Sequence, residues 1–477
     1  MKPTHIHRAV ARALAVLAFV SFPVNADDPV PPSSILLAPN ATGIEGTYST
    51  TGSIDFANPF FQSLGGNGRA CVTCHQPSAG WTITPANVRA RFEATDGTDP
   101  IFRTNDGSVS PDADVSTLEA RRAAYALLLD KGLIRVGLPV PADAEFELVA
   151  VDDPYGFAHA GELSLFRRPL PSTNLRFLST VMWDGRETLV DAASSDCILG
   201  TATCFASIHF DLSHQASGAT TGHAQAPEPT DEQREAIVAL ETSLFTAQLF
   251  DDAAGRLTAQ GAQGGPQLLS THDFHFGIND VVSNDYRTGA LFDPNVMRLY
   301  DAWERGKRTP VGRDAAIRAD ARAAVFRGER LFNSRHIRIS GVAGLNDDLG
   351  TPVFDGTCTT CHDTPHAGSH SIPAPLDLGL ADASRRTPDL PLYTLRNKQT
   401  LRTVETTDPG RALVTGKWKD IARFKGPVLR ALASRAPYFH NGSARDLADV
   451  VDFYDERFRI GFTEQEKEDL IAFLRTL

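Results

Sequence analysis

The pentapeptide Cys-x-x-Cys-His occurs twice, as Cys71-Val72-Thr73-Cys74-His75 and as Cys358-Thr359-Thr360-Cys361-His362. Two thiols one turn apart can add across the two vinyl groups of a porphyrin, and the adjacent imidazole then reaches the iron from the same side. A single copy also reads as a zinc half-site or a redox dithiol. A zinc site made of all four thiolates leaves both histidines without a task. The pair therefore predicts two covalently bound haem c groups, attached at Cys71, Cys74, Cys358 and Cys361, with His75 and His362 as iron ligands. Each copy follows a Phe- and Gly-containing lead-in, Phe60-Phe61-Gln62-Ser63-Leu64-Gly65-Gly66 and Arg327-Gly328-Glu329-Arg330-Leu331-Phe332. This reads as a weak internal duplication with unequal insertions.

The N-terminus carries Lys2, Arg8 and Arg12, an apolar run from Ala13 to Val20, and Val24-Asn25-Ala26 before the first acids. That is a secretory signal pattern with cleavage near Ala26, and it points to a periplasm. The alternative, a membrane anchor, needs a longer apolar run. In an oxidising compartment Cys197 and Cys204 read as a short-loop disulfide, with two buried free thiols as the other option. The chain has 477 residues, 42% of them hydrophobic and 22% charged, enough for two or three domains with cores. Its net charge of -12 argues against nucleic-acid partners and against an anionic membrane surface.

Helical periodicity dominates, so the expected fold is mainly α, with two cytochrome-c-like haem domains and long loop insertions. Ser116 to Asp130 and Thr230 to Phe250 read as helices, and Thr463-Glu464-Gln465-Glu466 is a capping box opening a last helix. Phe146 to Val151 reads as a strand. Residues 251–270, 340–357 and 363–390 read as loops. With a boundary in 305–320, the expected units are a signal peptide over 1–26, an N-terminal haem domain over 27–310 and a C-terminal one over 311–477.

Two haem motifs flank Trp183-Asp184-Gly185-Arg186. They are followed by Phe424-Lys425-Gly426-Pro427-Val428-Leu429-Arg430 and by Ala436-Pro437-Tyr438-Phe439-His440-Asn441-Gly442-Ser443. In this order the motifs resemble the bacterial di-haem cytochrome c peroxidase/MauG superfamily, over most of the chain past the signal. The resemblance implies a peroxidatic haem on His75 and an electron-storing, six-coordinate haem on His362, with Trp183 between them. In the peroxidases the sixth ligand of the second haem is usually Met, and in MauG-like members Tyr. Met1, Met182 and Met297 are the only methionines, and alignment on Tyr438-Phe439-His440 puts Tyr454 in the ligand position. His366, His370 and His440 are its rivals.

For the first haem, the resemblance implies Gln215 as a polar pocket residue. Counting on to the family's Glu lands on Gln225, which leaves His223 as the acid/base and Glu228 as the fallback. His159 falls near the position of a removable iron ligand. A calcium ion is implied at Asn174, Arg435 and Pro437. The expected function is that of a periplasmic oxidoreductase consuming hydrogen peroxide and sharing oxidising equivalents between two haems, the bis-Fe(IV)-capable MauG-like behaviour. Its electron donor would be a protein residue, a small cytochrome or a small molecule, and the protein a monomer or homodimer. The competing readings are a conventional cytochrome c peroxidase, a non-enzymatic di-haem electron carrier and an oxygen-using rubber-cleaving relative.

Overall fold

The computed structural model describes residues 35–304 and 312–477, which fall in one compact unit. The signal-peptide segment and residues 305–311 lie outside the described residues. Residues 313–320, which the expected boundary also covered, open the long helix Arg313–Ser334.

Helix accounts for 31% and strand for 18%, with the strands spread over several small sheets. The fold is therefore mixed, and the mainly α expectation is corrected. Two of the pairings join strands more than 190 residues apart, which periodicity in a local window does not register. The largest sheet runs Ile35–Asn40, Gly43–Ser49, Leu244–Asp251 and Gly255–Arg256, all antiparallel. A second joins Thr403–Thr406 and Leu392–Asn397 to Phe146–Asp152, the strand expected there.

Thr230 does open a helix, with a capping box to Gln233, but that helix ends at Ser243. The next eight residues, Leu244–Asp251, are a buried strand instead of a helical continuation. Their aromatic and β-branched members pair with Gly43–Ser49, and burial on both faces outweighs helix propensity. The expected helix at 116–130 is two short ones, Leu118–Ala124 and Ala126–Lys131, broken at Tyr125. The capping box at Thr463 forms as expected and opens the helix Glu464–Leu474. Cys197 and Cys204 are disulfide-bonded, closing a two-stranded hairpin.

The helix Arg313–Ser334 packs along Glu464–Leu474. They meet closely at Gly328, where an added Cβ would lie 2.0 Å from the Asp469 carbonyl oxygen. At the next residue, the buried Glu329 carboxylate accepts from the backbone N–H groups of Leu299 (2.5 Å) and Tyr300 (2.9 Å). Asn333 brackets the Met297 backbone in the same way. Val296, Met297, Tyr300 and Trp303 consequently share one core with Val325, Phe332, Leu470 and Phe473. Among the described residues no helix is long and apolar enough to cross a membrane.

Candidate haem cavities

Both Cys-x-x-Cys-His segments fold into the same turn. Cys71–Thr73 and Cys358–Thr360 are 3-10 turns, and the N–H groups of His75 and His362 donate to the Cys71 and Cys358 carbonyls at 3.0 and 3.2 Å. In each turn the threonine hydroxyl, on Thr73 or Thr360, accepts from the N–H three residues back. His75 Nδ1 donates to the Trp81 carbonyl at 3.1 Å and His362 Nδ1 to that of Gly368 at 2.6 Å. That fixes each ring and leaves Nε2 as the lone-pair nitrogen, the tautomer a metal ligand needs. Burial holds both imidazoles neutral, down to about 4. Trp81 is itself anchored to the large sheet, its indole N–H donating to Thr47 at 2.8 Å. Phe60 and Phe332, from the two lead-ins, lie 6.3 and 6.0 Å from the His75 and His362 rings.

The four motif cysteines are unpaired. Burial pushes Cys71, Cys358 and Cys361 up to about 12, and raises Cys74 as well. Burial thus favours the neutral thiol in all four, which are no reactive dithiol at neutral pH. No cluster of three metal-ligating side chains exists among the described residues. What the thiols do face is empty space. His362, Cys358 and Cys361 line a cavity of about 200 Å³. His75 lines one of about 150 Å³ and, with Cys71 and Cys74, an adjoining one of about 100 Å³. With two thiols and a ligand-ready imidazole at each, the residues present fit a haem at each motif.

The cavities differ in their other walls. The His362 cavity is apolar, with Phe332, Val342, Leu447, Val451 and Leu470 around it, and no Asp or Glu lines it. Tyr454 faces into it from the helix Leu447–Phe458. Burial and the nearby Cys361 and Cys358 raise the tyrosine's ionisation well above the usual range. His440 also lines this cavity. It is buried, stacks on Phe424 at 4.0 Å, and has neither ring nitrogen partnered. The other two rivals lie elsewhere: the His366 ring stacks on His272 at 3.7 Å, and His370 Nδ1 lies 3.5 Å from Asp363. Met297 is buried in the core and lines neither cavity.

The His75 cavity has a polar wall. The helix Ile208–Gly222, capped by Ser207, presents Leu212, Gln215 and Ala219 at helical spacing on one face, and its C-cap His223 continues the stripe. His223 Nδ1 is 2.5 Å from Asp106 Oδ2, and Asp106 is also paired with the buried Arg69. Burial works to raise the Asp106 carboxyl, but His223 and Arg69 together hold it below its ordinary value. An ionised Asp106 orients the imidazole and leaves its Nε2 to work. Gln225 and Glu228 do not line the cavity; the first accepts from Asn67, and Glu228 is exposed beside Arg234. His159 is exposed in a tight turn, its Nδ1 accepting from Gly161, and lines neither cavity.

Trp183 lines both cavities, its indole N–H donating to the Arg168 carbonyl at 2.8 Å. At the residues expected to hold calcium, the Asn174 amide is engaged with the Thr246 backbone, accepting from its N–H and donating to its carbonyl. The Arg435 carbonyl accepts from Arg168 at 3.0 Å.

Sequence reasoning missed Asp106, Arg69 and Glu241. Asp106 and Arg69 lie far in sequence from His223, in segments without any motif. Glu241 is on the inner face of the helix Asp231–Ser243 and lines the His75 cavity. Burial alone pushes its carboxyl up to about 8. The folded state therefore holds a proton that the unfolded chain gives up near the ordinary Glu value, and stability falls as pH rises between about 4.5 and 8. Glu241→Gln removes that slope. Melting temperatures at both ends of this window should differ less in the variant than in the parent; an equal drop in both would exclude Glu241 as its source.

No family model matches the chain. It is 33% identical to cytochrome-c peroxidase IdrP1 of Pseudomonas sp. (strain SCT), over 39% of this chain and 57% of that protein. It is 30% identical to the protein of the same name from Denitromonas iodatirespirans, over 37% and 44%. It is also 30% identical to cytochrome c551 peroxidase of Nitrosomonas europaea, over 28% and 35%. The chain thus spans about half or less of the length of these relatives.

Proposed function

We propose that the chain, which is similar to cytochrome c peroxidases over part of its length, belongs to the bacterial di-haem cytochrome c peroxidase/MauG superfamily and is a periplasmic oxidoreductase. It would carry two covalent haem c groups, consume hydrogen peroxide and share the oxidising equivalents between its haems. The observation that carries this reading is the asymmetry of the two cavities. One is apolar with Tyr454 facing His362; the other is polar, with Gln215 and the Asp106–His223 pair on the wall of the His75 cavity. The expected division into two haem domains, near residue 310, is retained as part of the proposal.

Bound haem supplies the iron that exchanges electrons with peroxide. The chain supplies the proton traffic. His223, held through Nδ1 by Asp106, takes a proton at Nε2 from the near oxygen of peroxide and returns it to the departing one. The Gln215 amide orients the peroxide by hydrogen bonding. Trp183, on the wall common to both cavities, offers an oxidisable side chain between the two sites. Tyr454 offers the second haem an anionic oxygen donor, which favours ferric or higher iron.

The names of the relatives favour a second reading, in which a small cytochrome donates the electrons to a conventional peroxidase. A non-enzymatic carrier would need no proton-handling pair beside an open cavity. Low-temperature electron paramagnetic resonance of the resting ferric protein tests the proposal. One high-spin and one low-spin haem, with the high-spin signal lost on adding peroxide, is the expected result. Two low-spin haems that both ignore peroxide would leave the carrier.

A further inference from the structure

Four buried cations on the cavity walls have no acidic partner. Arg168 and Lys425 line both cavities, Arg435 lines only that of His362, and Arg430 only that of His75. All four are at most 9% exposed. Among the described residues none has a carboxylate within 4.0 Å. Their partners are carbonyls. Arg168 donates to the carbonyls of Ile83, Arg435, Lys131 and Gly132, and Lys425 to that of Thr180. Arg435 donates to Val428, with its Nε unpartnered. Arg430 donates through Nε to His366, and both its terminal nitrogens have no partner at all. The buried acids nearest in effect, Glu45 and Glu329, are themselves pushed up to about 7 by burial.

This pattern is not general in the chain. Arg167, equally buried in the same wall, is held by Asp184 and by Asp408 at 2.7 Å. An unpaired buried cation costs several kcal/mol. Burial accordingly depresses the four, Lys425 down to about 7 and Arg430 to about 10. Anions entering the cavities would reverse that cost, and a charge-assisted pair in such surroundings is strong. Each haem c brings two propionate carboxylates.

We infer that Arg168, Lys425, Arg430 and Arg435 are the fixed counter-charges of the four haem propionates, with Arg430 serving the His75 haem alone. This rests on the di-haem reading above. The set has two shared cations and one private arginine per cavity, four cations in all for the four carboxylates of two haems. A guanidinium fork accepts a carboxylate through two parallel bonds, and Arg430 has two free nitrogens for that purpose.

The test uses the haem-loaded protein. Haem is counted as pyridine haemochrome, and both midpoint potentials are read by spectroelectrochemical titration for the parent, Arg430→Gln and Arg430→Lys. Loss of a positive charge beside a propionate favours ferric iron. Arg430→Gln should therefore lower the potential of the His75 haem alone, and Arg430→Lys should restore most of it. Lys425→Gln should lower both potentials. If Arg430→Gln fails to retain the His75 haem while Arg430→Lys keeps it, charge pairing is again supported. Two haems with unmoved potentials in Arg430→Gln would overturn the inference and leave the proposed function standing, as would equal shifts in the Gln and Lys variants. Fewer than two haems in the parent would overturn both.

Discussion

Exchanging Tyr454 for Met should raise the midpoint potential of the His362 haem by an amount on the order of hundreds of millivolts, the scale over which axial ligands tune haem iron. A thioether favours ferrous iron, whereas phenolate favours ferric. The substitution is well placed to be tolerated, because many aliphatic and aromatic side chains line the cavity beside Arg168, Lys425 and Arg435, and Met adapts to such surroundings. Sharing of oxidising equivalents after peroxide should become short-lived, while turnover with a cytochrome donor should improve. Potentiometric titration of parent and variant checks this. Equal potentials would take Tyr454 off the iron and leave His440, the other unpartnered donor in that cavity, as the ligand.

Replacing His223 with Gln should slow the reaction with peroxide by about 10²- to 10⁴-fold, the range that a positioned acid/base contributes. The glutamine keeps a polar side chain on the same stripe but cannot shuttle a proton. Asp106→Asn should give part of the same loss, because the imidazole would then lose the anion that orients it. Stopped-flow measurement of the first peroxide step gives the rate, and the absorption spectrum of the resting protein reports whether both haems remain in place. A His223→Gln protein that reacts at the parent rate would take His223 out of the reaction and return the acid/base role to another group on that wall. Glu241 would be the next to test, since it lines the cavity and holds a proton at neutral pH.

How much of this was legible in the sequence depends on the range of each interaction. The two Cys-x-x-Cys-His turns are local: five residues contain the thiols, the imidazole and the threonine that closes the turn, so their spacing alone predicted a ligand-ready histidine in each. Helix starts were legible for the same reason, since Thr230 and Thr463 find their capping partners three residues on. Tyr454 was reachable because it follows Tyr438-Phe439-His440 without a gap relative to the family's ligand position, and because no methionine follows Met297.

The rest is decided by pairings that span the chain. Leu244–Asp251 is a strand because Gly43–Ser49 lies beside it, about two hundred residues earlier. His223 gains its orienting carboxylate from Asp106, 117 residues away, in a segment with no motif of its own. His159 stays off both cavity walls because its turn closes locally, and the Asn174 amide is engaged by the Thr246 backbone, 72 residues on. The shared wall is assembled from separate segments, with Arg168 and Trp183 from one part of the chain and Lys425, Arg430 and Arg435 from another. The local motifs thus specify where two thiols and an imidazole stand together at each proposed haem site, because such a turn needs only its own residues. Charge balance, proton handling and the asymmetry of the two cavities arise where distant segments pack, because burial and counter-charge are properties of that packing.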